Sequence, residues 1–298
     1  MAEIAREQEI LTVKNRTLTK VTTALQGAPL IPLFIIVVFA FAALFADVIT
    51  FHDSTLVILP DRLIPPVGFD GGSWSHPLGT DPLGRDILTR ITYGARVSII
   101  ISATALGVGG GFGTMIGLLS GFYRGKIDTL LMRLADITLA FPLILFAILL
   151  VMVLGPSMLN VIIAISLVLW ARYARVIRGE VLGLMERDFI ARARVSGASD
   201  FRIMTRHLLP NVMPTLIVLL TLQVGWVIIV EASLSFLGAG IPPPTPAWGS
   251  MLADGREYVS SAWWVTTVPG IAIMLVVLAF NLCGDWLREK LDPKQRSV

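Results

Sequence analysis

Residues Glu186-Arg-Asp-Phe-Ile-Ala-Arg-Ala-Arg-Val-Ser-Gly-Ala-Ser199 read as a short helix that ends at a corner. Asp188 suits the N-cap, where a carboxylate accepts from an amide left free at a helix start, and Gly197 suits the left-handed position after a helix end. Ser199 or Asp200 can cap a second helix running from Phe201. Leu209-Pro210 and then Pro214 should bend that helix, because proline lacks the amide donor. The setting makes the stretch decisive: it is polar and rich in arginine, yet it separates two apolar runs that are each long enough to cross a bilayer.

A hydrocarbon core of roughly 30 Å needs about 20 apolar residues in helical form. Six windows qualify, at about 30–49, 97–122, 130–154, 158–176, 212–237 and 265–286. In lipid each must satisfy its own backbone polar groups, so each is expected to be a helix. Composition agrees, since 55% of the 298 residues are hydrophobic and 15% charged, with a mean hydropathy of +0.77. The expected fold is an all-α membrane protein with six transmembrane helices and a further helix between the fourth and fifth. The chain divides into a polar tail (1–29), a first transmembrane helix (30–51), an external loop or elbow (52–94), a five-helix core (95–287) containing the loop 187–210, and a second tail (288–298). The polar, partly basic tail and the lack of a small-residue cleavage site after the first span mark that span as a retained anchor.

Basic residues give the orientation. Arg6, Lys14, Arg16 and Lys20 lie in the first tail, Arg124, Lys126 and Arg133 at the turn after the second span, and Arg288, Lys290, Lys294 and Arg296 in the last tail. The loop before the fifth span adds a run from Arg172 to Arg206, whereas the opposite side carries only Arg62, Arg85, Arg90, Arg96 and Arg256. The bias places both tails in the cytoplasm. It also accounts for the net charge of +3 without nucleic acid, because the charge is spread over four segments with no aromatic interleaving.

On the short helix Phe189, Ala193 and Gly197 stand four apart, so one face offers an aromatic and two small residues between Arg192 and Arg194. Spacing alone fits a helix resting on anionic headgroups as well as one that docks on a partner. In the second span Gly109, Gly113, Gly117 and Gly121 form a smooth stripe for close packing, either within this subunit or on a second one. Glu231 is an intramembrane carboxylate that must face protein or water, as part of a pathway or gate or paired with an external arginine. Asp136 lies within reach of Arg133 one turn away on the same helix. The three histidines, His52, His76 and His207, lack the close spacing of zinc sites, and Cys283 has no partner cysteine, so no metal site is expected. His76, Asp81 and Asp86 sit among turn residues Gly79, Pro82 and Gly84, with Arg85 placed to neutralise a carboxylate. That pattern reads as a structured elbow rather than an acid–base or metal constellation.

The segment Ala191-Arg-Ala-Arg-Val-Ser-Gly197, followed after nine residues by His207-Leu-Leu-Pro210, resembles the EAA loop of ABC-importer permeases. Ala193, Gly197, Leu209 and Pro210 match its pattern of Glu-Ala-Ala, three residues, Gly, nine residues and Ile-x-Leu-Pro. Ala191, Arg192 and His207 stand where it has Glu, the first Ala and Ile. Three further stretches resemble the peptide and nickel branch of that family, in particular its C-type subunit. They are His76-Pro-Leu-Gly-Thr-Asp-Pro-Leu-Gly-Arg-Asp86, Glu231-Ala-Ser-Leu-Ser-Phe-Leu-Gly238 with Pro242-Pro-Pro-Thr-Pro-Ala-Trp-Gly249, and Phe280-Asn-Leu-Cys-Gly-Asp-Trp-Leu-Arg-Glu-Lys-Leu-Asp-Pro293. The resemblance implies a type I importer permease that is not itself an enzyme and binds no cofactor. Its partners would be ATP-binding subunits holding ATP and magnesium, a homologous B-type permease and an external solute-binding protein. It further implies that the short helix is a coupling helix, with Asp188, Phe189, Ala193, Gly197, Leu209 and Pro210 at the ATPase contact, and that external loops such as the elbow meet the solute-binding protein. Selectivity among peptides, nickel chelates, glutathione-like compounds and opines would rest largely with that protein.

Two other functions fit the residues less well. A self-sufficient secondary transporter or channel wants ionisable or broken segments near the bilayer midplane, whereas the charges here cluster at helix ends. An intramembrane enzyme needs a nucleophile with a base, or a metal cluster, and no span has that spacing. Gly121-Phe-Tyr-Arg-Gly-Lys126 is one residue short of a phosphate loop and has Ile127 where magnesium needs a hydroxyl, so the motor must be another chain.

Overall fold

The computed structural model describes residues 27–291, so the basic residues of the first tail and the end of the last motif lie outside the described residues. Among the described residues the secondary structure is helical, apart from one isolated bridge between Thr80 and Asp86. In chain order the helices are α1 (Leu30–Leu44), α2 (Ala46–Ile49), α3 (Ile87–Tyr123), α4 (Gly125–Ala140), α5 (Leu143–Leu154), α6 (Met158–Met185), α7 (Asp188–Val195), α8 (Asp200–Ile203), α9 (Leu209–Phe236), α10 (Trp248–Gly255) and α11 (Trp264–Leu291). α3, α6, α11 and the continuous helical run Asp200–Phe236 are each long and apolar enough to cross a membrane.

Two of the six expected windows depart from a straight span. The window 130–154 is broken into α4 and α5, which meet at 91°. The break falls at Phe141, which has extended backbone, and Pro142, which stands at the N-cap of α5 and has no amide to continue the ladder. α1 has 15 residues, about 22 Å of helix at 1.5 Å per residue, and a break at Phe45 separates it from α2. Elsewhere the helices outrun the windows: α3 starts ten residues before residue 97, and α6 continues nine past residue 176. Hydropathy marks the apolar part of a helix, and these polar-ended extensions stand beyond it.

The close pair at the centre is α3 against α6, and the glycine stripe forms it. A Cβ on Gly109 would lie 2.9 Å from the Ser166 carbonyl, one on Gly117 2.7 Å from that of Ala174, and one on Gly121 2.7 Å from Val181. A Cβ on Gly113 would overlap the Trp170 carbonyl. The stripe therefore packs within the subunit, which lets the two backbones come close enough for dispersion contacts along their length. Around this pair lie three apolar clusters. One joins α3, α5, α6 and α9 through Ile101, Ile165, Leu169 and Val227. A second ties α1 to α10 and α11, where the Phe39 ring lies 5.6 Å from that of Trp248 and 6.4 Å from that of Phe280. The third seats α7 and α8 on the ends of α3, α6 and α9 through Phe122, Ile177, Val181, Ile190, Ile203, Leu208 and Val212.

The fifth span begins before its expected start at 212. Between α8 and α9, Met204–Leu208 is π-helical, with the Leu209 amide bonded to the Met204 carbonyl. That wider turn stands directly before Pro210, in the first turn of α9. It lets the chain pass a residue that cannot donate while keeping one helical run.

Candidate functional site

The corner after α7 is built by hydrogen bonds. Gly197 has φ +74°, its amide bonds the Arg194 carbonyl at 3.0 Å, and the Ala198 amide bonds the Ala193 carbonyl at 3.1 Å. These two bonds satisfy carbonyls left free at the helix end and reverse the chain. Ser199 then caps α8 by accepting from the Arg202 amide at 3.4 Å. Asp188 is not the cap of α7: Arg187 holds that position with extended backbone and no capping bond from its side chain, and Asp188 is the first helical residue. There its charge favours the helix through the dipole.

The face marked by Phe189, Ala193 and Gly197 also departs from expectation. Ala193 is buried, and with Phe189 it packs into the apolar cluster beneath the helix; Ile190 is fully buried there too. The Phe189 ring lies 6.5 Å from that of His207. Leu209 packs at the edge of the same cluster, and Pro210 is in the first turn of α9. What the corner turns outward is Val195, 90% exposed, and Phe201, 73% exposed, with Ala191, Arg192, Arg194 and Ser196. A four-residue period marked a face correctly, but the chain's own core covers most of it.

Arginines at this end of the bundle serve as ties. Arg175 pairs with Asp136, in place of the expected pair with Arg133, because α4 lies alongside α6. Arg124 reaches Glu186 at 2.6 Å. A cleft of about 660 Å³ opens beside them between α6, α9 and α11, lined by Glu180, Arg187, Asn211, Val218 and Arg288 among others.

At the opposite end residues 52–86 form an elbow held by buried charges. Asp81 is 1% exposed; its Oδ1 accepts from the amides of Leu83 at 2.8 Å and Arg85 at 2.9 Å. Its Oδ2 accepts from Arg85 Nε at 2.6 Å and also from Arg90. Asp254 on α10 takes Arg85 Nη2 at 3.1 Å. Trp248 donates to the Ile91 carbonyl at 3.0 Å and Trp264 to that of Thr80 at 3.2 Å. Arg85 does neutralise Asp81. Arg90, Asp254 and the two tryptophans complete the elbow; of these, Arg90 entered the external charge count and Trp248 one of the quoted motifs, while Asp254 and Trp264 carried no signal in the sequence.

Glu231 lies near the elbow end of α9 and is 1% exposed. Ser235 Oγ donates to its Oε1 at 2.7 Å and accepts from the Ile241 amide at 3.4 Å. No ion pair forms between Glu231 and an arginine among the described residues, and its Oε2 has no protein partner. This corrects the expectation of a surface arginine: α10 packs over this part of α9, with Gly249 against the Ala232 carbonyl, and the carboxyl is sealed inside.

A bundle of long apolar helices, with charged residues gathered at the two ends and a helical corner on one of them, defines a multi-pass membrane protein. The chain belongs to the family described as binding-protein-dependent transport system inner membrane component, whose profile matches residues 113–297. It is 42% identical over 266 residues, 89% of this chain and 88% of the relative, to the di/tripeptide transport system permease protein DppC of Pseudomonas aeruginosa. It is 44% identical to the dipeptide transport system permease protein DppC of Alkalihalophilus pseudofirmus, over 90% of this chain and 86% of the relative. The glutathione transport system permease protein GsiD of Pectobacterium atrosepticum is 44% identical over 76% of each chain.

Proposed function

We propose that this chain is one of a pair of permease subunits in an ATP-driven, binding-protein-dependent importer that carries peptides or related small solutes across the bacterial inner membrane. On this reading α1, α3, the bent pair α4–α5, α6, α9 and α11 are the six spans, both termini are cytoplasmic, and the α7 end faces the cytoplasm. The arginine distribution supports that orientation. ATP and magnesium are held by partner subunits, the pathway lies between this chain and a homologous permease, and a solute-binding protein delivers cargo to the elbow end. The names of the relatives support peptides as cargo, and that of the glutathione permease extends the class to peptide-like compounds.

One observation carries the reading. Val195 and Phe201 stand exposed on either side of the Gly197 corner, while Ile190, Ile203 and Leu208 of the same corner are fully buried against α3, α6 and α9. An apolar outer face on a foot rooted in three long helices is suited to dock on a partner and pass its movement into the membrane as a rigid-body shift. Burying two such side chains would contribute on the order of 1.5–3 kcal/mol each. α7 with its corner is thus the coupling helix.

Reconstitution tests it. Solute uptake into liposomes should require this chain, the second permease, the ATPase subunits and ATP together. Uptake by this polypeptide alone would instead establish a self-sufficient transporter or channel.

A further inference from the structure

The elbow brings together two histidines that stand 24 positions apart in the sequence. The His52 and His76 rings lie with centroids 4.7 Å apart and their planes tilted by 34°. His76 is buried at 5% exposure and Asp86 at 4%, with His76 Nδ1 3.1 Å from Asp86 Oδ1. One donor atom from each of His52, His76 and Asp86 lies within 4.8 Å of the other two. We propose that these three residues form a site for a divalent transition-metal ion of the zinc class.

The chemistry fits on three counts. Two imidazoles and a carboxylate are a common donor set for such ions. Two ligands bonded to one zinc at about 2.0–2.1 Å and a tetrahedral angle lie roughly 3.3 Å apart, close to the separation of His76 Nδ1 and Asp86 Oδ1, so an ion can take the place of the proton they share. His52 needs to move inward by at most about 1.5 Å to reach the same separation, and it is only half-buried, which also leaves a way in.

The surroundings are already arranged around this seat. Asp86 Oδ2 is occupied, accepting from the Thr89 amide at 2.8 Å and the Thr89 hydroxyl at 2.7 Å, so Oδ1 is the oxygen left for an ion. On the far side of the His76 ring, Asp61 Oδ2 lies 3.9 Å from Nε2. At that distance Asp61 makes no hydrogen bond to the ring, but it places a second negative charge beside the imidazole. Asp61 and Asp86 together offset the charge of the ion. Bound there, the ion would pin the segment leaving α2, which carries His52, to the N-cap of α3. That joins the exit of the first apolar helix to the start of the core.

The test is calorimetric titration of the purified full-length chain in detergent, free of any affinity tag, with zinc chloride and with magnesium chloride as control. Wild type should bind one zinc per chain and no magnesium, and cobalt at the same site should give visible d–d absorption. His52→Ala and His76→Gln should each weaken zinc binding at least tenfold. His207→Ala, at the opposite end of the bundle, should leave it unchanged. Should His76→Gln fail to fold, His52→Ala decides, because its ring is half-exposed. Absence of zinc binding to wild type, or equal affinity in wild type and His52→Ala, would overturn the site and leave only a proton between His76 and Asp86.

Discussion

Arg178 on α6 holds Asp128 on α4 with two parallel bonds, Nε to Oδ1 at 2.5 Å and Nη2 to Oδ2 at 2.6 Å. The Ser120 hydroxyl of α3 donates to the same carboxylate, so three helices meet on one side chain. A two-pronged pair needs the planar guanidinium, which lysine cannot imitate. Arg178→Lys should therefore lower stability by about 1 kcal/mol, and Asp128→Ala by about 1–3 kcal/mol because it strands three donors. Thermal unfolding in detergent measures both, and equal melting of wild type and Asp128→Ala would show the tie to be idle.

Asp81 is the hub of the elbow, neutralising two arginines that are themselves buried. Removing one member of a buried pair leaves an uncompensated charge, at a cost of about 3–5 kcal/mol. Asp81→Asn should lower the unfolding temperature markedly, whereas Asp254→Asn should do so much less because the Asp254 side chain is 42% exposed. The same melting experiment ranks them.

Gly113 and Gly111 are two residues apart on α3, yet a side chain meets different surroundings at each. At Gly113 it would overlap the backbone of α6, and at Gly111 it meets nothing within 4 Å. Gly113→Val is expected to force the two helices apart and cost roughly 3 kcal/mol or more, in the upper range for overpacking. Gly111→Ala should be close to neutral or slightly stabilising in a helix interior. Yield of monodisperse protein on gel filtration separates the two cases.

Glu231 keeps one carboxyl oxygen bonded to Ser235 and the other without a protein partner in a buried site. Glu231→Gln preserves shape and the Ser235 bond, so assembly should persist while transport falls if the carboxyl acts at an outer gate. Uptake assayed beside complex yield tests this, and normal uptake by the variant removes the gate reading.

The helical class was legible because long apolar runs have few ways to satisfy their backbone, and Gly197 was legible because a helix end signals locally. The glycine stripe at 109, 113, 117 and 121 announced close packing, but only the fold shows that α6 is the neighbour. Pro142 went unread, since an averaged hydropathy window is insensitive to one missing amide. Asp188 was misplaced by a single position at a helix boundary, the least determined feature of any helix. Most of the rest depends on partners far apart in sequence. Asp136 turns to Arg175 and not to Arg133, Arg85 reaches Asp254, and Trp248 bonds the Ile91 carbonyl, none of which a local pattern encodes. The burial of Phe189 and Ala193 belongs to the same class, because a period names a face without naming what covers it.

The most direct test of the central claim is recovery of the ATPase subunits with this chain from detergent-solubilised membranes, for wild type, Val195→Asp and Gly197→Asp. Val195 is 90% exposed, so a charge there should leave the fold intact while disrupting an apolar contact. At Gly197 any L side chain is strained at φ +74°, which should distort the corner itself. Full recovery is expected with wild type and at least tenfold less with each variant, each still monodisperse. Undiminished ATPase recovery with Val195→Asp and Gly197→Asp would contradict it.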